Sequence, residues 1–298
     1  MPLKKLADKF HTFTNLLIKD SFPTLSLYYY TKPRLYLYWR TQPIHRLIKG
    51  ENVSNCTKPS FIFFTVHKSA STLMVNFIEA LSKITGLVQI DYNGYFATEG
   101  AKGLEKQNNS QLIKKVFKPN GYIYGPLRNF INVPQIDNYP IILLLRDPRD
   151  ILTSQYFSIK KTHPLITKKL IERREIAMNS TIDEHVKSEQ ADRFFNTYTI
   201  YIDKVLEKNN VLFLKYEDMV KDFRNFILRI NTHLKLNLTD EQINSLDLTK
   251  TFKTRSEDEN SHKRKVTPGD YKEKLQPETI EWLNKKFEPI LKKLNYPL

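Results

Sequence analysis

Apolar residues run almost without interruption over 61–66 (FIFFTV), 87–91 (LVQID), 122–125 (YIYG), 140–145 (PIILLL) and 211–216 (VLFLKY). Runs this short and this continuous predict strands buried on both faces, not the alternating strands of a sheet with one wet side. Between them the period changes. TLMVNFIEALSKI (72–84) is apolar at helical spacing, and further helical patterns follow RDPRD, span about 191–208, follow YEDM and close the chain. Strands alternating with helices predict an α/β domain with a central, mainly parallel sheet flanked by helices. No internal repeat or low-complexity linker interrupts the pattern after residue 60, so residues 59–298 are read as one domain and 1–58 as an N-terminal extension.

That extension differs in character. Residues 1–58 carry ten Lys/Arg against three acids, with the aromatic clusters LSLYYY and LYLYWR. Two readings stand: a peripheral membrane or glycan contact, or a helical extension packing its aromatics on the main domain. Over the whole chain of 298 residues the basic excess is fifteen, which points to an anionic partner without choosing among nucleotide, glycan, membrane and nucleic acid. Cys56 is the sole cysteine, so no intramolecular disulfide forms, and no stretch approaches the roughly 20 apolar residues that span a bilayer. A cytoplasmic, reducing location is expected, and the five Asn-x-Ser/Thr sequons are read as by-products of an Asn-rich composition.

The loop VHKSAST (66–72) leaves a buried strand and opens a helix. Such a loop aims several free backbone N–H groups at one place, where the helix dipole also favours negative charge. It is a seat for phosphate. Lys68 adds a mobile cation, and the hydroxyls of Ser69, Ser71 and Thr72 can bond phosphate oxygens; the plainer alternative is that Ser71 or Thr72 caps the helix. The nucleotide-triphosphatase pattern G-x-x-x-x-G-K-[ST] is not met, because no glycine stands between Ser60 and Lys68. A second basic site follows in PIILLLRDPRDILTSQYFS (140–158): Arg146 ends a strand, where it can hold a phosphate bidentately, and Ser154 returns a hydroxyl eight residues later. Arg149 and Asp150 read as a surface pair.

With VLFLKYEDM (211–219) and RKVTPGDYKEKL (264–275) added, the four segments in this order and spacing resemble the sulfotransferase family, whose donor is 3′-phosphoadenosine 5′-phosphosulfate (PAPS). That family reads Lys-Ser-Gly-Thr-Thr, Arg-x-Pro-x-Asp with a Ser eight residues after the Arg, a strand ending in Tyr-Glu-Asp, and Arg-Lys-Gly-x-x-Gly-Asp-Trp-Lys. The resemblance implies a P-loop-like fold and a reaction that needs no metal. It assigns Lys68, Ser69, Ala70, Ser71 and Thr72 to the 5′-phosphosulfate, Arg146 and Ser154 to the 3′-phosphate with Arg264 and Lys265 closing over it, and Tyr216 to the neighbourhood of the adenine. Lys68 is also the implied catalytic cation.

Departures from the family pattern bear on these assignments. Ala70 replaces the loop glycine, which is accommodated if that residue keeps a negative φ. Val266 and Tyr271 replace a Gly and the Trp of the last motif. In the family's dimer segment Lys272 and Glu281 match while Gln276 and Pro277 occupy the central pair, so no dimer is expected through it. The His that small-molecule sulfotransferases place after the third strand is absent: Gly125 and Pro126 stand there. Asp91, at the end of a predicted strand, is chosen as the general base, with Glu99 and His67 as the other candidates; its plainer role is a turn ahead of Asn93-Gly94. The acceptor, a small molecule, lipid or glycan, is left open, and SIKKTHPLITKKLIERREIAMNSTIDEHVKSEQADRF is read as an insertion lining its pocket or as a solvated helix. Two rival functions are a P-loop-type kinase or NTPase, which a preference for ATP over the 3′-phosphorylated nucleotide would favour, and a basic nucleic-acid or membrane-binding module, which salt-sensitive binding to DNA or liposomes without affinity for PAPS would favour; no nucleic-acid partner is expected.

Overall fold

The computed structural model describes residues 40–98, 108–162, 168–249 and 266–298. All but residues 40–42 of these belong to one compact unit, Pro43–Leu298, which reaches back past residue 58. Ile44 and Leu47 lie in its core, 0% and 2% exposed. The calls on residues 1–39, on Glu99 and on Arg264 and Lys265 lie outside the described residues.

The five apolar runs are the five strands: β1 Phe61–Thr65, β2 Val88–Ile90, β3 Tyr122–Leu127, β4 Ile141–Leu145 and β5 Val211–Lys215. They form one sheet in the order β2-β3-β1-β4-β5, and every pairing is parallel. Each central strand serves two cores. Ile62 and Phe64 of β1 and Ile141, Leu143 and Leu145 of β4 pack into one cluster, while Phe61, Phe63, Ile142 and Leu144 pack into the other. The pleat sends alternate side chains to opposite faces, so a continuous apolar run is what two covered faces require.

Helices cover those faces. Helix α1 (Ser71–Thr85) places Met74, Phe77, Ile78 and Leu81 in the second cluster, where Phe77 meets Phe223 and Phe226 edge-on. Those two belong to α6 (Phe223–Leu234), which follows the short α5 (Tyr216–Lys221). The first cluster is closed by Phe194, Tyr198 and Tyr201 of α4 (Glu189–Tyr201) and by Leu283, Phe287 and Leu291 of α8 (Pro277–Lys293). Three shorter helices matter for the site: α2 (Tyr92–Thr98), α3 (Pro148–Phe157) and α7 (Asp270–Lys274). Among the described residues no helix is long and apolar enough to cross a membrane.

Because the strands are parallel, all their C-terminal ends open on one edge. The chain runs from β1 to β2 and β3 on one side and then crosses to β4 and β5 on the other, so the order reverses between β1 and β4. Ligands of open α/β sheets bind in the crevice outside that switch point. Phe63, fully buried in the strand that carries the crevice's first loop, tests the frame. Phe63→Ala is expected to lower unfolding free energy by about 3–5 kcal/mol in urea denaturation. Leu228→Ala, at a side chain 38% exposed, is expected to cost under about 1 kcal/mol.

Candidate active site at the carboxyl edge of the sheet

The loop after β1 turns sharply. Lys68 and Ala70 both take left-handed backbone, φ 69° and φ 56°. Ala70 therefore does not keep the negative φ on which its tolerance was premised, and the loop accepts a conformation that costs a Cβ-bearing residue roughly 1–2 kcal/mol. Ala70 is also the N-cap of α1, and it has no side chain that can cap. Ser71 and Thr72 lie inside the helix, so neither fills the N-cap position, and the N-cap residue gives the first-turn N–H groups no side-chain acceptor. Ser69 is fully buried and its hydroxyl has no partner, as is true of Thr65 at the end of β1. A buried hydroxyl left unpaired beside an uncapped helix start fits a ligand rich in acceptor oxygens, and a phosphate is one.

Arg146 leaves the end of β4 across the switch point. It is 4% exposed, and its guanidinium is held on three sides. Nη1 donates to the Lys68 carbonyl at 3.1 Å, Nη2 meets Asp150 Oδ2 at 3.4 Å, and the group lies 4.4 Å over the Tyr216 ring. Burial opposes its charge, and Tyr216, Asp150 and Glu217 around it more than offset that, raising its pKa from the ordinary value. Tyr198 donates its hydroxyl to the Arg146 carbonyl. Ser154 is half-buried on α3, one helical turn beyond Asp150 and on the same face, as i, i+4 spacing dictates.

Arg149 and Asp150 are not a surface pair. Both are buried, and they face different partners. Arg149 binds Asp147 with two bonds, Nε to Oδ1 at 3.0 Å and Nη2 to Oδ2 at 2.6 Å, then reaches Asn284 and the Pro297 carbonyl and stacks 4.4 Å from the Tyr271 ring. Asp150 accepts the N–H groups of Gly269 (2.8 Å) and Tyr271 (3.1 Å). Glu217, next to Tyr216, accepts the Asp147 N–H and the Tyr296 hydroxyl, each at 2.9 Å. Burial pushes the pKa of Asp150 and of Glu217 up, against the bonds that stabilise their charge. Sequence reasoning passed over Asp150, Tyr198 and Glu217 as site groups. Asp150 and Glu217 stood inside two of the motifs that carry the resemblance, Arg-x-Pro-x-Asp and Tyr-Glu-Asp, and Asp150 also has i+4 spacing from Arg146 at a helix start.

Asp91 lies at the same edge of the sheet, at the end of β2. It is 7% exposed, and its Oδ1 accepts the Gly94 N–H at 2.9 Å while its carbonyl accepts the Tyr95 N–H at 3.0 Å. It caps α2. A Cβ at Gly94 would stand 2.1 Å from Asp91 Oδ2, so the glycine makes room for the carboxylate. His67 is half-buried in the turn before Lys68. After β3, the Arg128 N–H donates to Asn93 Oδ1 at 2.8 Å, which joins that loop to α2.

The sheet is parallel, with a left-handed loop and a helix start after β1 and a buried arginine after β4, and the chain belongs to the sulfotransferase domain family: residues 134–295 match it. Those residues include Arg146, Ser154 and Tyr216, while Lys68 and Asp91 precede them. The chain is similar to a 3-beta-hydroxysteroid sulfotransferase of Cavia porcellus, 27% identical over 164 residues, 53% of each chain. It is also similar to an amine sulfotransferase of Oryctolagus cuniculus, 29% identical over 107 residues, 30% of this chain and 35% of the relative. The matches thus span about half the length of these curated relatives, or less. In fold it resembles a mouse sulfotransferase crystallised with PAP, with TM-score 0.53 and 15% identity over 83% of this chain and 88% of that one.

The left-handed Ala70 yields a direct expectation. Ala70→Gly relieves the Cβ clash but gives the unfolded chain more freedom, so the net gain in stability is about 0.5–1 kcal/mol. Chemical denaturation measures it; a loss of stability would mean that the loop is not left-handed at residue 70.

Proposed function

We propose that this chain transfers a sulfuryl group from PAPS to a hydroxyl or amine of an acceptor. The observation that carries this reading is the joining of two anion-binding features across the switch point, the uncapped start of α1 behind Lys68 and the buried guanidinium of Arg146, by the bond from Arg146 to the Lys68 carbonyl. A donor that carries a 5′-phosphosulfate and a 3′-phosphate on one ribose needs two such features side by side. A nucleotide triphosphate needs only the first. The kinase reading therefore leaves Arg146 unexplained, and the nucleic-acid reading leaves both unexplained.

In this reading Lys68, Ser69, Ala70, Ser71 and Thr72 hold the 5′-phosphosulfate through side chains and first-turn N–H groups. Arg146 and Ser154 hold the 3′-phosphate, Arg264 and Lys265 add two cations to it, and Tyr216 borders the adenine. The acceptor oxygen or nitrogen forms its bond to sulfur as the bond between sulfur and the bridging phosphate oxygen breaks. Lys68 neutralises the charge that develops on the leaving phosphate, a preorganised electrostatic contribution. The acceptor's proton passes to Asp91. The relatives named for a hydroxysteroid and for an amine support keeping both acceptor types. A cytoplasmic site of action, consistent with a single cysteine, belongs to the same proposal.

Incubation with labelled PAPS and a broad acceptor extract, followed by mass spectrometry of the product, tests the reaction. Calorimetry tests the site. Arg146→Ala is expected to cost on the order of 2–3 kcal/mol in affinity for adenosine 3′,5′-bisphosphate, the size of lost charge-assisted bonds. Affinity for adenosine 5′-phosphosulfate, which lacks the 3′-phosphate, should hold. Equal losses for both would make Arg146 a scaffold residue.

Asp91→Asn separates chemistry from capping. Asn caps a helix as well as Asp does, so the melting temperature should stay within a degree or two of the parent. Turnover should fall by roughly 10²–10⁴-fold if the carboxylate takes the proton. A fully active variant would leave Asp91 with the cap alone and move the base to His67 or Glu99.

A further inference from the structure

Asp150 is the most completely enclosed carboxylate of the site, its side chain 0% exposed, and it belongs to neither phosphate seat. Its two oxygens join two parts of the chain that are 119 and 121 residues apart in sequence. Oδ2 is shared between Arg146 Nη2 at 3.4 Å and the Gly269 N–H at 2.8 Å, and Oδ1 takes the Tyr271 N–H at 3.1 Å. Gly269 is the N-cap of α7, with φ 88° and no side chain to cap it. Asp150 supplies from another helix the acceptor that a capping residue would supply locally. The same segment is held a second time, because the Tyr216 hydroxyl donates to the Val266 carbonyl at 2.9 Å while the Tyr216 ring lies under Arg146.

We propose that Asp150 is a positioning residue of the nucleotide site: it fixes the Arg146 guanidinium and the 266–271 segment against one another, so that selection of a 3′-phosphorylated nucleotide depends on this carboxylate. The proposal rests on Arg146 reading the 3′-phosphate. Two effects of opposite sign compete here. The carboxylate holds the guanidinium in place, which favours the phosphate, and its own negative charge repels the phosphate. Burial and three donors on Asp150 reduce the second effect, since its charge is spent on bonds already made. Positioning wins.

The test uses the full-length protein and four variants, Asp150→Asn, Asp150→Glu, Arg146→Ala and the double variant Arg146→Ala with Asp150→Asn. Calorimetry compares adenosine 3′,5′-bisphosphate with adenosine 5′-phosphate. Asp150→Asn removes the charge and keeps the shape; Asp150→Glu keeps the charge and moves it by one methylene. Positioning requires both to lower the preference for the bisphosphate at least tenfold, with the 5′-phosphate bound as before, and requires Asp150→Asn to cost under threefold more once Arg146 is gone. A gain in bisphosphate affinity for Asp150→Asn with Asp150→Glu unchanged would make Asp150 a charge damper and overturn the proposal. So would full additivity with Arg146→Ala. If Arg146→Ala loses both nucleotides equally, it is the reading of Arg146 that fails.

Should the Asp150 variants not fold, the parent protein still decides. Hydrogen exchange of the 266–275 amides should slow at least tenfold more with the bisphosphate than with the 5′-phosphate at matched saturation. Equal protection by the two ligands would overturn the link.

Discussion

A guanidinium taken out of water at Arg146 is the constraint on which the site depends. It presents five donors in a rigid plane, and burying it without partners costs several kcal/mol. The chain meets part of that demand with a backbone carbonyl from the loop after β1, a carboxylate at the start of α3 and an aromatic face from the start of α5, and leaves the buried Nε without a partner. Three strand-end loops are thereby fixed by one side chain. The carbonyl that Arg146 uses is that of Lys68, a residue in left-handed backbone, and Ala70 repeats that conformation two residues on. Local strain of this kind persists only where the surroundings over-determine it, and the bond to Arg146 is one such surrounding.

A second ring of buried charge lies behind the first. Asp147 caps α3 through the Arg149 N–H and pairs with the Arg149 side chain, and its own N–H is taken by Glu217. Glu217 and Arg149 both reach the last residues of the chain, through Tyr296 and the Pro297 carbonyl. Replacing such pairs by apolar groups is often neutral or stabilising, so net stability is a weak reason for their presence. Orientation is the better reason. The charges converge on the residues that flank Arg146: Asp147 on Arg149, Arg149 on Asp147, Asn284 of α8 and the Pro297 carbonyl, and Glu217 on the Asp147 N–H and Tyr296.

The fold was legible because its strands are buried on both faces. FIFFTV and PIILLL leave no polar side to read, and all five strands stand where those runs stand, within a residue or two. The loop after β1 was legible too, since strand, small residues and helix occur in that order. What the sequence hid were pairings at long range. Arg149 and Asp150 are adjacent, which suggested a pair, yet a helix turns neighbours about 100° apart and sends one toward Asn284 and the other toward Gly269. Nothing local marks Tyr198 as the donor to Arg146's carbonyl. The conformation of Ala70 was hidden for a different reason, because an alanine signals negative φ and only the three-dimensional loop imposes the opposite.

The two anion-binding features differ in how they are built, and the difference bears on what each can do. Lys68 stands on a partly exposed turn and carries its ammonium on a four-carbon stem, the arrangement the proposed function sets beside the leaving phosphate. Arg146 is enclosed, stacked and bonded on three sides, so it offers one orientation to whatever enters. A rigid donor discriminates well because a ligand lacking the matching oxygens leaves part of it unpaired, and a cation preorganised beside a leaving phosphate stabilises the transition state in which charge develops there. Under the proposed function, separating the two tasks across the switch point lets the strained loop serve the chemistry while the buried network sets which nucleotide is held there.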